Sequence, residues 1–161
     1  MNAFVITANP PATGVEAVVS NDGWFPDLLP ADVRAFARLD GTVTPERLRP
    51  ALVEAILTVN AELQTFKAEL IESGCDALDE VQAVKIDGKS AKLHHYTRAV
   101  CYCLMADLAE AYRNLSQLPD SNGKAGQVLE RLVIEQNEHR RKQRWAIADL
   151  KGQRRVIAEL I

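Results

Sequence analysis

The stretch Ile86 to Arg113, IDGKSAKLHHYTRAVCYCLMADLAEAYR, decides how this chain folds. It opens on Asp87-Gly88, a pair that tolerates the left-handed backbone of a tight turn. Ser90 follows where a helix N-cap belongs, its hydroxyl placed to accept one of the first unpaired backbone N–H groups. From about Ala91 to Leu118, Leu93, Val100, Leu104, Leu108, Ala111, Leu115 and Leu118 recur on one face of a helical period. A helix with a single apolar face has to bury it against another element. Arg98 interrupts the seam between Tyr96 and Val100; it is either buried against a carboxylate or backbone carbonyls, or it snorkels along the helix edge.

A second seam of matching length lies upstream. Thr44 reads as an N-cap, Pro45 as the first helical residue and Gly74 as the stop after Ser73. Between them Leu52, Ile56, Val59, Leu63, Phe66 and Leu70 recur at spacings of 4, 3, 4, 3 and 4, the pattern of helices packed at shallow angles. Pro50 removes a backbone hydrogen bond past the first turn and is expected to kink the helix or split off that turn. Leu52, Ile56, Val59, Leu63 and Phe66 should pack against Val100, Leu104, Leu108 and Ala111. A short helix is predicted from about Pro30 to Leu39, ended by Gly41, and a long one from about Ala125 to Leu150, stopping near Gly152.

The expected fold class is therefore all-α, a helical bundle of three long helices plus one short helix. Residues 1–23 read as an extended N-terminal arm, anchored where Trp24 and Phe25 meet the body; residues 24–151 form the bundle and 152–161 a C-terminal tail. Residues 74–92 lack a sustained period and read as a long loop. Because Leu78, Val81, Val84 and Ile86 have no helical stripe to join, the loop from Cys75 to Asp87 is expected to face a neighbour or a channel rather than the core.

With 161 residues the chain suits one core rather than two. No secretory signal or membrane span is predicted, since no window approaches eighteen uncharged apolar residues. Charge is uneven: residues 1–130 carry 11 Lys/Arg against 18 Asp/Glu, and residues 131–161 carry 8 against 4. The basic end can serve nucleic acid or an acidic surface on a neighbouring copy. Its one dense cluster is His139, Arg140, Arg141, Lys142, Gln143 and Arg144. Consecutive residues cover almost the whole circumference of a helix, so they cannot all face one groove. Arg140, Arg141, Lys142 and Arg144 are therefore expected at a subunit interface, where the basic helix of one copy meets the acidic body of the next. Nucleic-acid binding through 139–144 is the alternative.

Catalytic and metal chemistry find little support. Gly88-Lys89-Ser90 resembles the end of a phosphate-binding loop, but position 83 is alanine where that motif needs glycine. His94 and His95 point about 100° apart on a helix, and Cys101 and Cys103 about 200°, so neither pair has ligand or disulfide spacing. Cys75, Cys101 and Cys103 read as small buried hydrophobes. No nucleophile has an assigned base. No enzyme activity, cofactor or metal is expected.

The run Tyr96, Arg98, Ala99, Val100, Cys101, followed by Ala109, Tyr112 and Arg113, resembles the head completion protein L family of contractile-tailed temperate phages. The likeness extends to Phe25-Pro26-Asp27, Val33-Arg34, the run Val43 to Leu48, Asn60-Ala61-Glu62-Leu63 and Arg144-Trp145-Ala146, in that order along the chain. The resemblance implies a non-catalytic adaptor that binds beneath the portal protein after DNA packaging, stabilises the filled head and receives neck and tail terminator proteins. It implies a virion location at the head-tail neck, assembly in the host cytoplasm, and a ring of about twelve copies of itself, with packaged DNA as a further partner in the channel.

The last eight residues supply the expected portal contact. Val156, Ala158 and Leu160 alternate with Ile157, Glu159 and Ile161, two largely apolar faces that mark a strand buried on both sides. The bundle offers no sheet to receive it, so the tail is expected to become a strand on binding a partner, added to an exposed sheet edge of the portal. Gly152 is the expected hinge and Arg154-Arg155 a charged guide.

Overall fold

The structure, a computed structural model, describes residues 16–39, 43–115 and 124–155, with side chains over 16–39, 43–112 and 133–155. Five α-helices dominate these residues: α1 (Pro30–Ala37), α2 (Pro45–Glu62), α3 (Gln64–Glu72), α4 (Ala91–Leu115) and α5 (Lys124–Lys151). Pro at the first position starts both α1 and α2, where its missing N–H costs nothing and its φ is already helical. Ser90 caps α4 as expected, its Oγ accepting the Lys92 amide at 3.3 Å. The glycine stops also stand: Gly74 (φ 93°) and Gly152 (φ 71°) take the left-handed conformation just past α3 and α5. Gly41 lies outside the described residues; α1 closes instead at Arg38, left-handed at φ 52°.

α4 is the central element, packed along α5 and also against α2. Leu52, Ile56, Val59 and Leu63 of the upstream seam are buried together with Val100 and Leu104, and Phe66, Leu70, Leu93 and Leu108 pack half-buried against them. Ala111 is exposed, which corrects the expected pairing at its far end. α4 packs more extensively on α5 than on α2, so the seam it offers α2 is shorter than its apolar sequence suggests.

Further expectations are corrected. The helix expected over 44–73 is not divided at Pro50, which lies inside α2; Pro50 and Glu46 are both exposed, so water can reach the carbonyl that loses its donor. The break falls at Leu63, whose N–H is shared between the Val59 and Asn60 carbonyls at 3.1 and 3.2 Å and whose side chain is fully buried. Residues 74–90 are not a structureless loop. A 3-10 turn at Leu78–Glu80 buries Leu78, 1% exposed, with its amide on the Trp24 carbonyl at 3.0 Å, and Val81 packs beside the core.

Then β1 (Lys85–Ile86) pairs antiparallel with β2 (Lys89–Ser90), Lys85 opposite Ser90 and Ile86 opposite Lys89. Asp87 and Gly88 take φ of 50° and 72°, the two positive values of a type I′ hairpin turn. The fold is mostly helical with one small hairpin, and of the loop's apolar residues Val84 and Ile86 remain exposed, at 70% and 62%.

Residues 16–23, expected in the arm, pack into the body. Val19 is buried and forms an antiparallel bridge with Leu28, and Glu16 pairs with Arg34 at 2.8 Å. Trp24 and Phe25 anchor this segment as expected. The indole Nε1 donates to the Cys75 carbonyl at 3.0 Å, and Phe25 stacks on Tyr96 with centroids 4.8 Å apart. The arm over residues 1–15 lies outside the described residues.

Candidate functional site

Tyr96 is fully buried, and burial raises its hydroxyl well above the ordinary tyrosine value, so it stays a neutral donor and acceptor. It donates to Asn60 Oδ1 at 2.7 Å and accepts from Asn21 Nδ2 at 2.8 Å, while Asn60 Nδ2 donates to Asn21 Oδ1 at 2.8 Å. Asn21 Nδ2 also donates to the Pro26 carbonyl at 3.0 Å. This closed ring joins the Asn21 segment, α2 and α4 without an unpaired polar atom among its side chains, the condition under which a buried network rigidifies a core. Arg34 makes a second knot, holding the Glu16 carboxylate and, at 2.7 Å, the Val43 carbonyl. Asn60, Tyr96, Arg34 and Pro26, scattered over the blocks that carry the resemblance, are therefore cement between segments rather than exposed contacts.

The exposed chemistry lies at the end of α5. Gly152 N–H reaches the Asp149 carbonyl at 3.2 Å and Gln153 N–H the Ala148 carbonyl at 2.8 Å, the paired bonds of a left-handed C-cap. The chain then turns back, and Arg155 donates Nε and one terminal nitrogen to the two Asp149 oxygens at 2.9 and 2.7 Å. Its guanidinium also sits 5.3 Å from the Trp145 ring centre, which Arg141 approaches at 4.8 Å. Arg98 reaches the same carboxylate at 3.7 Å. That resolves its place in the α4 seam: half-exposed at the helix edge and paired with Asp149.

Hydrogen bonding from Arg155 holds the Asp149 carboxyl below the usual carboxylate range, against the opposing effect of desolvation. A lowered pKa means this contact is present above the ordinary carboxylate value and is lost as pH falls through the lowered one. Arg154 is exposed, and Val156, Ile157, Ala158, Glu159, Leu160 and Ile161 lie outside the described residues. Trp145 stood out in sequence as part of the Arg144-Trp145-Ala146 block, whereas Asp149 was not singled out; its available signal was an acid isolated in a basic stretch.

The basic cluster is largely committed within the chain. Arg140 pairs with Asp107 at 2.5 Å and with Gln143 Oε1 at 3.2 Å. Arg141 pairs with Glu138 at 2.7 Å, and Lys142 lies 5.6 Å over Tyr102, on which His139 also stacks. Gln143, hidden in a run of charges, is 3% exposed and donates to Glu62 at 3.0 Å. Arg144 is exposed and forms no ion pair with the described residues.

The two thiols on α4 are not reactive groups. Burial pushes Cys101 up to about 12 and Cys103 up to about 11, so at pH 8 both are overwhelmingly protonated and inert. Cys75 is half-buried, which corrects its expected burial. A chromogenic thiol reagent at pH 8 should titrate Cys75 in the native protein, and Cys101 and Cys103 only after denaturant is added; three equally fast thiols in native protein would contradict this packing. Among the described residues no group of three or more His, Cys, Asp or Glu could hold a metal ion, and no helix is long and apolar enough to cross a membrane.

The surface of the described residues includes two grooves. One of about 390 Å³ lies at the α2–α3 elbow, lined by Leu57, Ala61, Ala68 and Ile71 among others. The larger, about 630 Å³, runs between α1 and the first half of α4 and is lined by Leu29, Val33, Phe36, Leu93 and Arg98 among others.

Residues 19–161 match the family model described as phage head completion protein (GPL). The head completion/stabilization protein of Escherichia phage P2 is 37% identical over 152 residues, a span covering 94% of this chain and 88% of that protein. No solved structure matches the chain significantly.

Proposed function

The chain belongs to the phage head completion protein (GPL) family, and from that premise we propose that it acts as a portal adaptor: it binds beneath the portal of the filled head, closes as a ring of about twelve copies, and presents the surface to which neck and tail components attach. Head completion and stabilisation is a structural role in the virion rather than an enzymatic one. The observation that carries the finer reading is the construction at the end of α5, where a left-handed cap and the Arg155–Asp149 contact hold the root of the apolar tail at a defined place on a rigid helix. A strand-forming tail launched from a fixed point loses less freedom on docking than one on a loose tether. Subunits in a ring then add many such weak contacts through multivalency. Mixing the protein with purified portal rings and imaging the product tests the reading. Rings of the protein stacked on the portal's lower face are expected, and portals that stay bare at saturating protein would refute it.

Arg140, Arg141, Lys142 and Arg144 are proposed to face the acidic body of the next copy, with Arg144 the least committed at home. The family match does not favour the alternative of a nucleic-acid surface over 139–144, and the contacts that Arg140, Arg141 and Lys142 already make leave Arg144 as the cation most available to the next copy. Exposed charge pairs are screened by salt. Ring assembly on portals should therefore weaken with rising salt and with neutralisation of these four residues. Assembly indifferent to both would remove the electrostatic part of the proposal.

A further inference from the structure

We propose that the groove between α1 and α4 is the resting site of this chain's own C-terminal segment, residues 156–161, in the free subunit. On sequence alone the chain offers that segment nothing to pack on; the fold builds an apolar channel beside its root. Leu29, Val33 and Leu93 line the groove together with Phe36, whose ring is 40% exposed. Arg98, at one end, shares the Asp149 carboxylate with Arg155, the last described residue. The chain therefore leaves the described structure beside the groove.

Length agrees with this placement. From Arg98 to Leu93 the groove follows α4 for about 8 Å and then continues to Lys89 on β2, and six extended residues reach about 20 Å. Chemistry agrees as well. Under this proposal Val156, Ala158 and Leu160 supply the apolar edge that the channel accepts, with Glu159 set toward Lys89 at the far end. Two acids, Asp27 and Asp32, line the α1 side, so the apolar lining rather than charge carries the match. Exposed Ile86 sits next to this end of the groove, its carbonyl 3.0 Å from His94 Nε2, and can cover Ile161.

A two-sided apolar segment left in water is an aggregation hazard, and storage in cis removes it until a partner's sheet edge competes for the same residues. Its use as a store rests on the portal-binding reading of the tail, but the test uses the free subunit with no portal present, so the two can fail separately. Full-length protein carrying Cys75→Ser, Leu160→Cys and Lys89→Cys is treated with a short bismaleimide at low protein concentration, and the product is read as intact mass. A matched protein carries Glu54→Cys, on the exposed face of α2, in place of Lys89→Cys. All of these positions are exposed, half-buried or in the tail, and buried Cys101 and Cys103 do not compete for the reagent. Intramolecular cross-linking is expected about ten-fold or more faster at Lys89 than at Glu54, as a raised effective concentration requires, and Phe36→Ser should erase most of that preference. Equal rates at the two positions, a preference untouched by Phe36→Ser, or cross-links formed solely between molecules would each overturn the proposal.

Discussion

Removal of residues 154–161 is expected to leave a soluble, helical protein that no longer binds the portal. The fold should survive because the hydrogen bonds closing α5 are made by Gly152 and Gln153, before the cut. The Arg155–Asp149 pair that goes with the tail is about half exposed on the arginine side, the kind of contact that contributes little to stability. Binding should suffer far more. A tail strand supplies backbone hydrogen bonds along a sheet edge and side-chain pockets on its alternating faces, and a ring loses it in every subunit at once. The expected loss of portal affinity is on the order of 100-fold or more, measured by co-sedimentation of truncated and full-length protein with portal rings. Undiminished binding by a truncation with an unchanged circular dichroism spectrum would end the tail hypothesis. Arg155→Ala should have a smaller effect in the same assay, because it frees the root while keeping the strand.

Leu63→Ala should destabilise the protein by about 2 to 5 kcal/mol, the range for deleting a fully buried leucine and leaving a cavity. Leu63 is 0% exposed and sits at the elbow between α2 and α3, so its side chain both fills the core and sets the angle at which α3 leaves it. At about 2–4 °C per kcal/mol for a domain of this size, the melting temperature should fall by several degrees or more. Leu57→Ala, six residues earlier but 58% exposed, should change it little. Equal melting temperatures for wild type and Leu63→Ala would mean that the elbow is not the load point described.

Much of the core was legible because it is written in local periods. The upstream seam from Leu52 to Leu63, the cap at Ser90, the glycine stops at Gly74 and Gly152 and the anchor at Trp24 and Phe25 follow from helical geometry, backbone conformation and solvent avoidance acting over a few residues. Misreadings fell where two distant segments compete for one surface. Leu78 has no stripe of its own, yet it is buried because the Trp24 segment crosses over it and pairs with its amide. Residues 16–23 look like an arm until Asn21 meets Asn60 and Tyr96. Ala111 looks like seam, yet it lies beyond the reach of α2.

The same division holds at the candidate site. By itself the sequence determined the helical class, the apolar tail, the basic helix before it and the family, all of which depend on residue identity and spacing along one chain. Tertiary structure alone decided which charges are available. Arg140, Arg141 and Lys142 form one cluster in sequence, but Asp107 on α4, Glu138 on α5 and the Tyr102 ring take one each, and Asp149 collects Arg98 from α4 and Arg155 from the chain just past α5. A charge is spent or spare according to what lies within about 4 Å of it, and that distance is set by the packing of α4 on α5 rather than by either helix alone.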